Sequence, residues 1–222
     1  MFVLRPGNPA QELINLQNAD FKTWFKGSKV VDAETGVPLV QYHGTCFEIS
    51  SFWPFTHFST QTASDNGVSL SRKNNGMAII SQFDPHSFSL FGETDVVHLR
   101  PGMTSGHIYR VFLRIVNPLH LHDKDEYHSP QLVAELCRSK GVIGRWSVLK
   151  IKNMCRDKGA SKKEGFLARQ RAYRYLRLRL MAKGYDGIRY ELGREDRGKE
   201  AWINFSPAQV RFAFKPDRFH LA

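Results

Sequence analysis

From His107 to Pro118 the chain places apolar residues at both parities of an extended run. Ile108, Phe112 and Val116 interleave with Tyr109, Val111, Leu113 and Ile115, and Arg110 and Arg114 supply the charges. Successive strand side chains point to opposite faces, so this run predicts a strand largely buried in a sheet, ended by Asn117-Pro118.

The elements around it alternate in kind. Asn8 to Lys26 is expected to be helical, with Pro9 in the first turn, Leu13, Leu16, Phe21 and Trp24 at roughly helical spacing, and Gly27 as the stop. After a turn at Glu34-Thr35-Gly36, Val37 to His43 reads as a strand with Pro38 at its edge. Phe52 to Ser59 is aromatic-rich and is expected to hold a second short strand, before a polar helix-and-loop stretch from Gln61 to Asn75. Ser129 to Lys140 predicts a helix capped by Ser129 and stopped by Gly141. Arg145 to Lys163 has weak periodicity and reads as an insertion, and Glu164 to Lys183 predicts a long helix ending at Gly184. Gly187 to Tyr190, Ala201 to Phe205 and Val210 to Phe214 read as three short strands. The whole is one mixed α+β domain over residues 1–222, long enough to bury a real core.

An apolar share of 41% and a charged share of 24% exclude a disordered chain, and no stretch approaches the roughly 20 apolar residues of a membrane span. The opening Met1 to Gly7 breaks at Pro6 and Gly7 before a secretory apolar region develops, so cytoplasmic synthesis is expected. Cys46, Cys137 and Cys155 form no CxxC pair, which supports neither disulfides nor a zinc knuckle. His120-Leu121-His122-Asp123 is a weak metal pattern, and no metal is expected.

The net charge of +11 is not spread evenly. Between Arg145 and Lys183 stand 13 Lys and Arg residues against two acids, Asp157 and Glu164, so this segment carries the entire excess.

Chemistry is suggested first by Tyr42-His43-Gly44-Thr45. A glycine at a strand end lets a flat ligand reach the peptide N–H and C=O, which can pair with a carboxamide. The adjacent imidazole can hydrogen-bond a ribose hydroxyl. A strand that merely ends in a turn beside a satisfied histidine would read the same way. In order along the chain come Phe21-x-x-Trp24-Phe25, Ser28 to Asp32, Tyr42 to Thr45, Val116 to Leu119, Gly184-Tyr185-Asp186-Gly187-Ile188, an acidic loop, and Pro207-x-Gln209-Val210. This ordered set resembles the ADP-ribosyltransferases of the diphtheria-toxin and poly(ADP-ribose) polymerase type, and looks closest to the small domains of polyvalent phage and mobile-element proteins. The resemblance covers Phe21 to Thr45, Phe52 to Ala63, Tyr109 to Leu119 and Gly184 to Phe214, and leaves about 120–183 unmatched. It implies an α+β fold of split mixed β-sheets flanked by helices, here with a basic helical insertion at about 141–183.

The resemblance further implies that NAD is the co-substrate, with no metal. His43 would contact a ribose, Gly44 would pair with the nicotinamide carboxamide, and Tyr42 and Thr45 would complete that wall. The second family motif falls on His57-Phe58-Ser59, where His57 replaces a more usual tyrosine and Phe58 reads equally well as core. The third motif needs a carboxylate that stabilises the oxocarbenium-like cation formed as the glycosidic bond breaks, and that accepts the acceptor's proton. The register favours Glu195 in the loop from Tyr190 to Gly198, although Leu192 stands where an Asn is usual, and Glu191 and Glu200 are reserve candidates. Without the resemblance this loop would read as a solvated charged hairpin.

On the expected helix 164–183, Phe166, Tyr173, Leu176 and Leu180 form an apolar stripe. Arg169, Arg171, Arg174, Arg177 and Arg179, with Lys162 and Lys163, are the candidate nucleic-acid contacts, and Trp146 and Tyr175 offer stacking surfaces. An acidic inhibitor or antitoxin protein would use the same patch, and a plainly solvated helix face is the third reading. The expected function is mono-ADP-ribosyl transfer from NAD to a macromolecule, RNA or DNA before protein, as in a toxin or effector. NAD hydrolysis and a non-catalytic nucleic-acid or partner-binding module are the alternatives.

Overall fold

The computed structural model describes residues 16–45, 49, 51–65, 107–122, 129–156, 162–193 and 196–213. Helix α1 (Ala19–Phe25) covers an antiparallel sheet of β1 (Gln41–Thr45), β3 (His107–Leu113) and β7 (Val210–Phe212), in the order β1-β3-β7. A four-stranded sheet of β2 (His57–Phe58), β6 (Glu200–Asn204), β5 (Gly187–Glu191) and β4 (Pro118–Leu121) has the order β2-β6-β5-β4 and is mixed, β4 running parallel to β5. Its far face carries α2 (Pro130–Ser139), α3 (Arg145–Met154) and α4 (Lys162–Met181). These α+β layers are compatible with an ADP-ribosyltransferase fold.

Strand parity builds the layers. Phe112 points to Phe21 and Phe25 of α1, whereas Val111 and Leu113 point to Phe58 and Trp202 between the sheets. On the other side of the four-stranded sheet, Ile188, Tyr190, Ala201 and Ile203 pack on Val133, Cys137, Ile151, Leu176 and Leu180 of the helices. Burial pushes the Cys137 thiol up to about 12, the environment of an inert core cysteine.

The strand expected to run from His107 to Pro118 is two strands. β3 stops at Leu113, β4 begins at Pro118, and the segment between them crosses from one sheet to the other. The crossing is held by other segments' polar groups. Ser28 Oγ donates to Leu113 O at 2.8 Å, Lys29 N to Ile115 O at 2.7 Å, and Arg114 N to Gln209 O at 2.8 Å. Val116 N and Asn117 N donate to the two carboxylate oxygens of Asp186, each at 2.7 Å. Apolar alternation does not distinguish a straight strand from one that changes sheets, because both faces stay covered in either case.

The helix expected from Asn8 to Lys26 is interrupted where it is described. Residues 16–17 are helical, but Asn18 is extended and caps α1, its side chain accepting from Asp20 N and Phe21 N. Asn competes with the helix by bonding nearby backbone N–H groups, which favours it at caps. Residues 8–15 lie outside the described ones. The stop at Gly27 is as expected, with φ +82°. Ser129 does precede α2, but its hydroxyl donates to Gln131 Oε1 instead of capping a backbone N–H. Within the weakly periodic 145–163 stretch lies helix α3. It starts at Gly144 with no side-chain cap and buries only Ser147, Val148 and Ile151, so neither a cap nor an apolar repeat announces it.

In α4 the buried stripe is Ala168, Ala172, Leu176 and Leu180, with Tyr173 half-buried. The side chain of Phe166 lies outside the described ones. Arg177 is a correction: 4% exposed, it donates through Nη1 to Phe205 O at 2.6 Å and is withdrawn from the expected phosphate-binding face. Arg169, Arg171, Arg174 and Arg179 are exposed.

Candidate active site

β1 brings His43 and Gly44 to the meeting of the two sheets. Its other edge pairs with β3, His43 opposite Tyr109 and Gly44 opposite Ile108. Tyr42 N donates to Ser59 O and Ser59 N to Tyr42 O, both at 2.9 Å, which joins β1 to the residue after β2. In an antiparallel ladder the N–H and C=O of one residue point to one side, and the side alternates residue by residue. Because Tyr42 points toward Ser59, Gly44 presents its N–H and C=O on that same edge. His57 O, alongside, accepts from the His43 side chain, and among the described residues no backbone group pairs with Gly44 on this edge.

The His43 ring stands between the sheets, edge-on to Phe52 at 5.5 Å and tilted over Phe58 at 5.7 Å between centroids. Its Nδ1 lies 2.8 Å from His57 O. A carbonyl only accepts, so Nδ1 carries the proton and Nε2 of the neutral ring is left as an acceptor. Burial holds the imidazole pKa below its ordinary value, and the His57 carbonyl only partly opposes this. A neutral, oriented imidazole is suited to accept from a ribose hydroxyl.

The acidic candidates sit on the β5–β6 hairpin. Glu191 is directly opposite Glu200, and Glu200 forms an ion pair with Arg189, whose guanidinium lies 5.6 Å from the Trp202 ring centroid. Glu200 and Trp202 have the same parity, so Glu200 shares the face on which Trp202, Phe58 and His43 pack. Glu191, Cα partner of Glu200, is on that face as well. Glu195 lies outside the described residues. Its neighbour Asp196 accepts from Thr60 Oγ1 at 2.6 Å, which ties the hairpin loop to the segment following the Tyr42–Ser59 pair. Tyr42 to Thr45 and the Glu191–Glu200 turn therefore belong to one side of the molecule.

Several expected contacts are placed differently. Phe58 is 0% exposed and serves as core beneath His43, so it has no face to offer a nicotinamide. The His57 ring lies on the opposite sheet face, its Nδ1 2.9 Å from Tyr190 Oη. Tyr42 and Ser59 contribute their mutual backbone pair, and the side chains of Thr45, Lys162 and Lys163 lie outside the described ones. Arg189 and the Thr60–Asp196 latch were not anticipated. Two further polar atoms in or beside this layer, Gln41 Oε1 and Trp202 Nε1, are buried without a hydrogen-bond partner. Such orphans cost about 1–3 kcal/mol each and are rare away from ligands, ordered water or strain.

A family model described as ADP-ribosyltransferase in polyvalent proteins matches residues 33–216. The chain belongs to this family of ADP-ribosyltransferases, whose substrate is NAD. Neither the curated proteins nor the solved structures contain a match to it. The site suits the substrate's nicotinamide riboside end: an open glycine edge for a carboxamide, an acceptor nitrogen for a hydroxyl, and carboxylates on the facing sheet. Among the described residues no helix is long and apolar enough to cross a membrane.

Proposed function

We propose that the protein is a mono-ADP-ribosyltransferase that cleaves NAD at the nicotinamide–ribose bond and passes ADP-ribose to a macromolecule, nucleic acid before protein. The observation that carries this reading is the shared face of His43 and Glu200 beside the open edge of Gly44. As the C–N bond breaks, its electron pair leaves with nicotinamide and positive charge develops on the ribose. A fixed carboxylate stabilises that charge, and the acceptor's nucleophile then bonds the same carbon and gives its proton to the carboxylate. We assign this task to Glu200, whose strand parity puts it on the His43 face, ahead of Glu195, the residue preferred by motif register. The ion pair with Arg189 holds the Glu200 carboxylate in place until substrate enters. A nucleic-acid acceptor is supported by the basic segment 141–183, read as an insertion serving the acceptor. A role as a toxin or effector, with an acidic protein as inhibitor, accords with the same charge.

The test is incubation with labelled NAD and separate pools of RNA, DNA and protein. Label on nucleic acid that disappears in Glu200→Gln, and persists in Glu195→Gln, is the expected result. The reverse pattern would restore Glu195. Free ADP-ribose alone would mean hydrolysis, and unchanged NAD with retained nucleic-acid binding would mean a non-catalytic module.

A further inference from the structure

The helical layer holds a feature that the cleft does not use. Trp146 on α3 is 81% exposed, the most open large apolar side chain among the described residues, and Leu178 on α4 is 48% exposed. One turn beyond Trp146, Lys150 places its Nζ 4.7 Å from the Tyr175 ring centroid on α4. At the C-terminal end of α3, Cys155 feels the charge of Arg169, nearer the start of α4. The two helices therefore run antiparallel, and stepping back from Lys150 to Trp146 moves forward along α4 from Tyr175 to Arg179. Residues four apart share a helix face, so Arg171, Tyr175 and Arg179 line one side of α4 and Trp146 and Lys150 one side of α3, and the Lys150–Tyr175 contact joins the two. The result is one stripe in which cations and aromatic rings alternate across two helices.

We infer that this stripe is a docking site for single-stranded nucleic acid, separate from the cleft in which ADP-ribose is transferred. It rests on the opposite face of the four-stranded sheet from His43 and Glu200. Phosphates pair with Arg171, Arg179 and Lys150, none of which is directed to a carboxylate among the described ion pairs. The exposed indole of Trp146 needs an unpaired base to cover it, because duplex bases hide their faces. An acidic protein would satisfy the charges without needing that stacking ring. As the acceptor's docking site this rests on the transferase reading, whereas single-strand binding itself does not.

Fluorescence anisotropy with labelled oligouridine, the matching single-stranded DNA and an RNA duplex, without NAD and over a range of KCl, tests the site. Single strands should bind more tightly than duplex, and Trp146→Ala should weaken them about 5- to 100-fold, the loss expected for one stacked base. Arg171→Ala and Arg179→Ala should each lower the slope of log affinity against log salt by about 1. All three residues are on the surface, and unchanged far-ultraviolet circular dichroism confirms folding. Equal affinity for duplex, insensitivity to Trp146→Ala in a folded protein, or binding to polyglutamate in place of nucleic acid would overturn the inference. Binding without label transfer sinks the transferase reading and leaves the docking site standing. Transfer with neither affinity nor acceptor KM altered in the stripe variants sinks the docking site alone.

Discussion

The side-chain amide of Gln209 donates to the main-chain carbonyl of Asp186 across 2.7 Å, 23 residues apart in sequence. The same Gln209 accepts from Phe205 N and Ser206 N through Oε1, and the carboxylate of Asp186 accepts from Val116 N and Asn117 N. Two motifs by which the family is recognised, Gly184 to Ile188 and Pro207 to Val210, thus lock the crossing between the sheets.

Replacing Asp186 by Ala leaves two backbone donors without acceptors at that crossing. A loss of about 2–4 kcal/mol is expected, seen as a lower urea midpoint at unchanged slope. A change below about 0.5 kcal/mol would show that solvent or another group takes over both bonds.

Gly187 admits no side chain. A Cβ there would lie 2.8 Å from Ile115 Cγ2 and 2.9 Å from the Ile203 carbonyl oxygen. Gly187→Ala should destabilise by about 1–3 kcal/mol through overpacking. Ile115→Ala in the same chain should not rescue it, because the backbone contact persists. Thermal unfolding of both variants checks this.

His43 gives stability a pH dependence of known sign. Its folded pKa is below the unfolded value of about 6.5, so the unfolded chain binds the proton more readily. Its contribution is complete above that value and is lost as pH falls below it. His43→Gln should flatten the difference between urea midpoints at pH 7.5 and pH 5.5. An unchanged difference would mean that His43 is not held neutral in the fold.

Arg177 and Arg171 should respond in opposite ways although both belong to one basic helix. Arg177→Ala removes a buried donor to Phe205 O and should cost about 2–4 kcal/mol, whereas exposed Arg171→Ala should stay within about 0.5 kcal/mol. Chemical denaturation separates the two. Reduced nucleic-acid binding by Arg177→Ala then reports unfolding and not a lost phosphate contact.

What could be read from sequence follows from what each signal encodes. The strand through His43, which runs over Gln41–Thr45 and not Val37 to His43, the stops at Gly27, Gly141 and Gly184, and the stripe through Leu176 and Leu180 are local patterns that the structure keeps in kind. The division at Leu113 was hidden because it depends on Ser28 and Asp186, which are remote in the chain. Helix α3 was hidden because its stability comes from packing on α2 and α4 and not from a cap or an apolar repeat. In the candidate site, His43 and Gly44 were legible through their motif. That Glu191 and Glu200 stand opposite each other on the His43 face depends on hairpin register, which a run of charges does not specify.

The four-stranded sheet also keeps two surfaces of the molecule apart. The outer surface of α4 is set back from the His43 and Glu200 layer by the diameter of a helix, about 10 Å, and then by the sheet itself. Substitutions on that outer layer leave the packing around His43 and Glu200 untouched, so under the proposed function acceptor capture and cleavage of the glycosidic bond are open to separate alteration.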